Sequence, residues 1–196
     1  MCSAISRQLN MSDLIPRLTR ENLHPDLQTY LRPRVERLGY LGEFFQCAGH
    51  QPEALLSFLQ YTDHLKHALP NNLTEIVSLT VAQLMNNGYE RVQHERLSLK
   101  LGFGENWLRE VLTLKGDGTG PMSEQEVLVQ RLAMAAINRK GHYITAELEP
   151  VIRSIGPAMS IAVLMLVGRY LSHAILANAL NLAPPVPSPL ALETNG

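Results

Sequence analysis

Cysteine is scarce in this chain of 196 residues, and its scarcity excludes two classes of protein. Cys2 and Cys47 can form at most one bridge, so the sequence cannot encode a disulfide framework. Two thiols are also too few for a cysteine-rich zinc site. This cysteine usage is typical of a protein in a reducing compartment.

The sequence also lacks a strong net charge and a long hydrophobic run. Its 17 basic and 18 acidic side chains sum to −1 at pH 7, so no global field would attract nucleic acid or an anionic membrane. The most apolar run, residues 155–168, is short of the ~20 residues that a membrane span needs. Residues 1–10 lack the apolar core of a secretory signal. We therefore expect a soluble, cytoplasmic protein with no nucleic-acid or membrane partner.

Apolar side chains recur at helical spacing along most of the chain, and no stretch alternates as a strand would. The pattern predicts an all-α fold. Pro25 and Pro33 are predicted to open two successive helices, because proline is favoured in the first helical turn. Ser123 and Glu126 form a capping-box pattern at the start of a later helix. Two final helices are predicted, at residues 146–154 and 157–183.

The length fits one domain, which we place at residues 1–183. Residues 184–196 form a tail with four prolines, Pro184, Pro185, Pro187 and Pro189. Proline at this density excludes a helix, so the tail is predicted to be extended or disordered.

The predicted helix after Asn87 carries an acid and an imidazole on one stripe. Glu90, His94, Leu97 and Leu101 follow one another at spacings of 4, 3 and 4, which places them on one helix face. The two leucines predict that this face is buried. A second face is predicted to be solvent-exposed and contains Arg91, Glu95 and Ser98.

Two interpretations of the inward-facing pair are open. Glu90 and His94 could form a structural hydrogen bond in the core, because buried polar groups need partners. Alternatively, they could line a binding site in which the carboxylate orients a general acid or base. Glu75 has a structural alternative too, as the third residue of a helix that Asn72 caps. These side chains are also possible metal ligands, but a turn separates Glu75 from the pair, and we predict no metal site.

Four residues of this region match the core pattern of a known family. Glu75, Asn87, Glu90 and His94 have the spacing of its glutamate, its two cysteines or their substitutes, and its histidine. With the segments at residues 48–52, 73–82, 101–111 and 167–170, they resemble the carboxymuconolactone decarboxylase family, which includes the alkylhydroperoxidase-D-like proteins. The resemblance covers most of residues 40–186. It implies a compact bundle of about eight helices that assembles as a homotrimer or homohexamer.

The resemblance also implies that Glu75, Glu90 and His94 are site residues. Peroxidase members of the family use two cysteines where this chain has Asn87 and Glu90. Neither side chain can attack a peroxide as a thiolate or resolve the product, so thiol peroxidase activity is not expected.

By resemblance to the decarboxylase-type members, we expect cofactor-free acid–base chemistry on a small organic acid or lactone. His94 would be the general acid or base, Glu90 would orient or polarise it, and Glu75 would be a second acid or base or part of the pocket wall. Asn87 and Tyr89 would donate hydrogen bonds to a substrate carbonyl or enolate. The alternative is a non-catalytic helical oligomer or a ligand-binding module.

Overall fold

A computed structural model describes residues 14–190, and all regular structure in this range is helical. A 3-10 turn at Arg20–Asn22 precedes eight α-helices: α1 (Pro25–Leu38), α2 (Glu43–Ala48), α3 (Pro52–Ala68), α4 (Asn71–Leu84), α5 (Gly88–Lys100), α6 (Glu105–Thr113), α7 (Glu124–Asn138) and α8 (Thr145–Ala179). The predicted all-α fold is confirmed. Residues 1–13, with Cys2, and the end of the predicted tail, residues 191–196, lie outside the described residues.

The chain forms two compact units, which divide between Phe58 and Leu59 within α3. The first unit buries Leu27 and Leu31 of α1 and Phe44 and Cys47 of α2. The prediction that a separate helix opens at Pro33 is wrong, because Pro33 lies inside α1. Proline removes one backbone donor, but the helix continues past it until Gly39, whose left-handed backbone (φ 81°) ends α1.

The second unit is built around α4. Every residue of α4 from position 73 to 82 is buried, as the nearly all-round apolar pattern of this segment predicts. Leu73, Ile76 and Leu79 are fully inaccessible to solvent. Helices α5, α7 and α8 pack around α4, so a polar side chain on α4 must find its partners inside the protein.

Helix α8 changes direction at Gly156, where the backbone (φ 79°, ψ 167°) is not helical. The sequence predicts two helices that meet near this point, and the non-helical backbone at Gly156 confirms the break between them. By length and composition alone α8 could cross a membrane, since its most apolar 18-residue window has a mean hydropathy of 1.8. Val163, Leu166 and Val167 of α8 nevertheless pack into the core, as expected for a core helix.

The described part of the proline-rich tail is irregular and lies along α5. Pro184 is beside Gly88 at the start of the helix. Further on, the Ser188 hydroxyl donates a hydrogen bond to the Glu95 carboxylate at 2.5 Å. Leu190 packs against the core. The tail thus covers one side of the helix that carries Glu90 and His94.

Gly156 and Gly168 lie in the same helix and predict opposite effects of a methyl group. No atom lies within 4 Å of a Cβ added at either position. Gly156 has a backbone conformation that only glycine adopts without strain, so we expect Gly156→Ala to destabilise the fold by about 1–3 kcal/mol. Gly168 is helical, and Gly168→Ala should stabilise the fold by up to about 1 kcal/mol. Urea unfolding of both variants is the measurement, and equal effects would contradict the prediction.

Candidate active site

The turn between α4 and α5 brings Glu75 and His94 together. Asn86 adopts a left-handed conformation (φ 49°), and the Asn87 side chain caps α5 by accepting a hydrogen bond from the Glu90 amide at 3.3 Å. α5 therefore runs back along α4. This arrangement is what the sequence leaves undetermined, because spacing within a helix says nothing about the angle of a turn.

Glu75 and His94 form a short, buried hydrogen bond. The distance from His94 Nδ1 to Glu75 Oε2 is 2.7 Å, and the two side chains are 6% and 2% exposed. Ser98 Oγ donates to the same carboxylate oxygen at 3.2 Å, while Ser78 Oγ lies 2.9 Å from His94 Nδ1. The carboxylate thus orients the imidazole and fixes its Nδ1 as a donor.

The capping interpretation of Glu75 is wrong. α4 begins at Asn71, and its N-cap residue, Pro70, makes no side-chain hydrogen bond. The Asn72 side chain donates instead to Glu126 Oε1 at 2.8 Å. Glu75 is the fifth residue of the helix, beyond the capping position, and directs its side chain toward α5.

Helix α8 supplies three further polar side chains to this cluster. Tyr170 Oη lies 3.2 Å from His94 Nε2. Arg169 Nη1 is 3.1 Å from Glu90 Oε1, and His173 Nε2 is 3.2 Å from Glu90 Oε2. Glu90 Oε1 also lies 3.5 Å from His94 Nε2. Glu90 therefore links the histidine of α5 to the Arg169 guanidinium and the His173 imidazole of α8.

Arg169 and Tyr170 belong to the cluster although no sequence motif identifies them as candidate site residues. One signal could have found them: Arg169, Tyr170 and His173 are polar residues at helical spacing within an otherwise apolar helix. Ser78 and Ser98 carry no comparable signal. Their role depends on the turn between α4 and α5, which places both hydroxyls beside the Glu75–His94 pair.

The predicted faces of α5 are partly wrong. His94 and Glu90 are buried as expected, but Leu101 is 38% exposed, whereas Glu95 and Ser98 are buried. The reason is that α5 packs between α4 and the tail, so it has two covered sides. Glu95 lies under the tail, where Ser188 donates to it and Arg91 Nε approaches it at 3.3 Å.

Asn87 and Tyr89, predicted to bind substrate, are both buried near the start of α5. The Asn87 side chain serves as the helix cap described above. The Tyr89 ring lies 6.0 Å from the His173 ring, so Tyr89 belongs to the same cluster. Their roles toward a substrate stay predictions.

The neighbouring charges shift the pKa values of three site residues in a consistent way. Burial by itself lowers the pKa of His94, but the adjacent carboxylates of Glu75 and Glu90 outweigh it, and the net pKa is raised. Burial raises the pKa of Glu90, yet His173, His94 and Arg169 hold it well below its usual value. For His173 burial dominates and lowers the pKa to about 4, so this imidazole is neutral at pH 7.

A metal ion requires several ligand atoms that point at one position, and the side chains of this cluster do not converge in this way. Among residues 14–190, no group of three or more histidine, cysteine, aspartate or glutamate side chains has the arrangement of a metal site. The two nitrogens of His94 point toward different carboxylates. The arrangement is suited to moving a proton along the line Glu75–His94–Tyr170/Glu90.

Comparison with known proteins identifies the fold. No protein-family model and no curated protein matches the chain. One similar solved structure is the alkylhydroperoxidase AhpD core, an uncharacterized peroxidase-related protein from Ralstonia eutropha JMP134 (TM-score 0.74, 14% identity, 86% of this chain and 90% of that chain covered). Another is a cysteine-to-alanine variant of the debrominase Bmp8 in complex with 2,3,4-tribromopyrrole (TM-score 0.73, 14% identity, 89% and 93% covered). The chain therefore has an AhpD-like helical fold.

The shifted pKa values predict that the protein is most stable near pH 6.5, the ordinary pKa of histidine. Above this pH the folded state keeps a proton on His94 that the unfolded state loses, so stability falls as pH rises through the raised pKa. Below it the unfolded state protonates His173 while the folded state does not, so stability falls as pH drops toward 4. Glu90 adds to this loss below pH 4.5, as its own pKa is approached.

His173→Gln isolates the acid side of this profile. The glutamine Nε2 can keep the hydrogen bond to Glu90 but cannot titrate. The difference between 6.5 and about 4, at about 1.4 kcal/mol per pH unit, predicts that the wild type loses about 3 kcal/mol more than the variant on going from pH 7 to pH 4. Denaturant unfolding at a series of pH values measures both proteins. If the unfolding free energies of the wild type and the variant fall equally as the pH drops, the assignment of this loss to His173 is refuted.

Proposed function

We propose that the chain is a cofactor-free acid–base catalyst that acts on a small organic acid or lactone by decarboxylation, isomerisation or another proton transfer. The observation that carries this proposal is the 2.7 Å hydrogen bond between Glu75 and His94 Nδ1, which leaves Nε2 as the reactive edge of the ring. A carboxylate-oriented imidazole is a common general acid or base near neutral pH. The family resemblance of the core pattern supports the same chemistry.

Each residue of the cluster has a role in this proposal. His94 transfers the proton through Nε2, and Glu75 orients the ring from the other side. Glu90 lies beside Nε2 and links it to Arg169, whose guanidinium is the buried cation that a substrate carboxylate would approach. The Tyr170 hydroxyl lies 3.2 Å from Nε2, next to the nitrogen through which the proton is transferred.

We do not propose thiol peroxidase activity for this chain. Asn87 and Glu90 occupy the positions at which peroxidase members of the family carry cysteines. Cys47 is the one cysteine among the described residues, and it is buried in the first unit. Burial raises the pKa of its thiol, which reduces the thiolate that a peroxidase needs.

The depth of the cluster favours a second candidate function, a structural ion cluster in a non-catalytic or ligand-binding protein. Glu75, Glu90 and His94 are all under 10% exposed, and each has a polar partner inside the fold. Loss of one member of a buried charged pair typically costs 3–5 kcal/mol. Catalytic residues are often neutral or costly to stability instead. Activity and stability must therefore be measured on the same variants.

His94→Asn and Glu75→Gln test the proposed catalyst on a panel of small lactones and organic acids. We expect wild-type turnover of at least one compound and a loss of about 100-fold or more in each variant, because each removes part of the proton-transfer pair. Turnover is measured by chromatography of substrate and product, and unfolding free energy is measured alongside. Glu126→Gln is the matched control, since this buried glutamate bonds Trp107, Asn72 and the Ser123 amide outside the cluster. Unchanged turnover in His94→Asn would refute the catalytic role.

We also propose that the chain assembles as a homotrimer or homohexamer, as its resemblance implies. One side of α8 supports this proposal, because Ile161, Met165 and Ile175 are 55%, 43% and 62% exposed at helical spacing. No charged residue lies between Arg153 and Arg169, and Arg169 points inward. Such an uncharged strip is typical of a surface that a second protein molecule covers.

Ile161→Glu should disrupt this assembly, because it places a charge on the uncharged strip. We expect light scattering coupled to size-exclusion chromatography to show an oligomeric wild type and a smaller species for the variant. Ile152→Glu, on the other side of the Gly156 bend, is the control and should leave the mass unchanged. A monomeric wild-type protein would contradict the proposal.

A further inference from the structure

We infer that His94 is an imidazolium in the resting protein. Glu90, which is paired with Arg169 and His173, is the positioning residue that keeps His94 Nε2 protonated. The site would thus begin its cycle as a proton donor. This last step rests on the proposed function, whereas the charge state of His94 does not.

The hydrogen bonds around His94 are all satisfied when both of its nitrogens carry protons. On one side, Nδ1 faces the Glu75 carboxylate at 2.7 Å. Ser78 Oγ, 2.9 Å from the same nitrogen, donates its own hydrogen to the Glu75 carbonyl at 3.0 Å and is therefore an acceptor toward Nδ1. Nδ1 must be the donor of both contacts.

On the other side of the ring, Nε2 faces two oxygens. Tyr170 Oη is 3.2 Å away and also has a hydrogen bond with Ser78, to which it can donate its hydrogen. The Glu90 carboxylate is 3.5 Å away and can only accept. A bare Nε2 would put a lone pair opposite this anion, so a protonated Nε2 is the arrangement that the oxygens select.

The charges of the cluster lead to the same assignment. Glu75 and Glu90 contribute two negative charges, and Arg169 contributes one positive charge. With a neutral His94 the buried cluster would hold a net negative charge, which is costly in a medium of low dielectric constant. With an imidazolium the sum is zero, and the raised pKa of His94 agrees with this balance.

His173 completes the balance without adding a charge. Its Nε2 donates to Glu90 Oε2 at 3.2 Å as a neutral imidazole. Arg169, which also donates through Nε to Thr62 of α3 at 2.9 Å, and Lys66 of α3 both disfavour a further positive charge on His173. Both carboxylate oxygens of Glu90 thus accept hydrogen bonds from α8. The carboxylate stays ionised, and its Oε1 atom faces His94 Nε2.

In the proposed reaction, a resting imidazolium donates its Nε2 proton to a substrate oxygen or carbanion carbon. The ring is left as a neutral imidazole whose Nδ1 proton still bonds Glu75. Reactions in which the site first acts as a proton donor are therefore favoured over those in which it first abstracts a proton. Examples are protonation of the leaving ring oxygen when a lactone opens, and protonation of the carbanion that remains after carbon dioxide has left.

Nitrogen-15 NMR of the histidine side chains tests the inference without any substrate. His94 is assigned from the signal that disappears in His94→Asn. We expect both ring nitrogens of wild-type His94 to be protonated at pH 7, so its titration midpoint should lie above pH 7, in the direction of its raised pKa. In Glu90→Gln the midpoint should fall by about 1 pH unit or more, because a nearby opposite charge is lost.

Two variants separate this electrostatic role from a general loss of structure. Arg169→Gln removes a cation, so it should move the His94 midpoint upward, opposite to Glu90→Gln. Glu95→Gln, next to His94 on α5 but covered by the tail, should leave the midpoint where it is in the wild type.

A neutral His94 tautomer in the wild type at pH 7, or an unchanged midpoint in Glu90→Gln, would overturn the inference. If Glu90→Gln does not fold, the wild-type nitrogen shifts and the direction of the Arg169→Gln shift decide the question. Failure of the substrate panel with a protonated His94 would count against the proposed function alone.

Discussion

The burial of two glutamates in one helical core is the constraint on which the second unit depends. Glu75 and Glu90 lie on neighbouring helices, each less than 10% exposed, and neither could remain there without compensating donors. His94 lies between the two carboxylates. Arg169 and His173 donate hydrogen bonds to Glu90, and Ser78 and Ser98 form hydrogen bonds with the Glu75–His94 pair. These contacts tie α4, α5 and α8 together with a precision that apolar packing alone does not impose.

The same contacts involve no cysteine side chain. Its fold is shared with a peroxidase-related protein and a debrominase at 14% identity, a level at which only the architecture is transferable. Function must be argued from side chains, and here the carboxylate of Glu90 lies 3.5 Å from Nε2 of His94. On this shared scaffold we propose an acid–base site in which the charges around His94 control its protonation.

Much of the helix pattern is predictable, because it depends on local spacing. The start of α7 at Ser123, the burial of α4 and the helical break near Gly156 all follow from nearby residues. The faces of α5 do not, because Glu95 and Ser98 are buried by α4 and by a tail that is some 90 residues further along the chain. The prediction that a helix begins at Pro33 fails for a related reason, because the helix that begins at Pro25 continues through Pro33.

The sequence by itself determined an all-α chain and the candidate residues Glu75, Glu90 and His94, because hydrophobic period and motif spacing are local properties. Only the tertiary structure decided that these residues meet, and that Arg169, Tyr170 and His173 join them from a helix about 75 residues away. The angle of the Asn87 turn and the packing of α8 against α4 set those distances. Both result from the burial of the whole core, which no local pattern encodes.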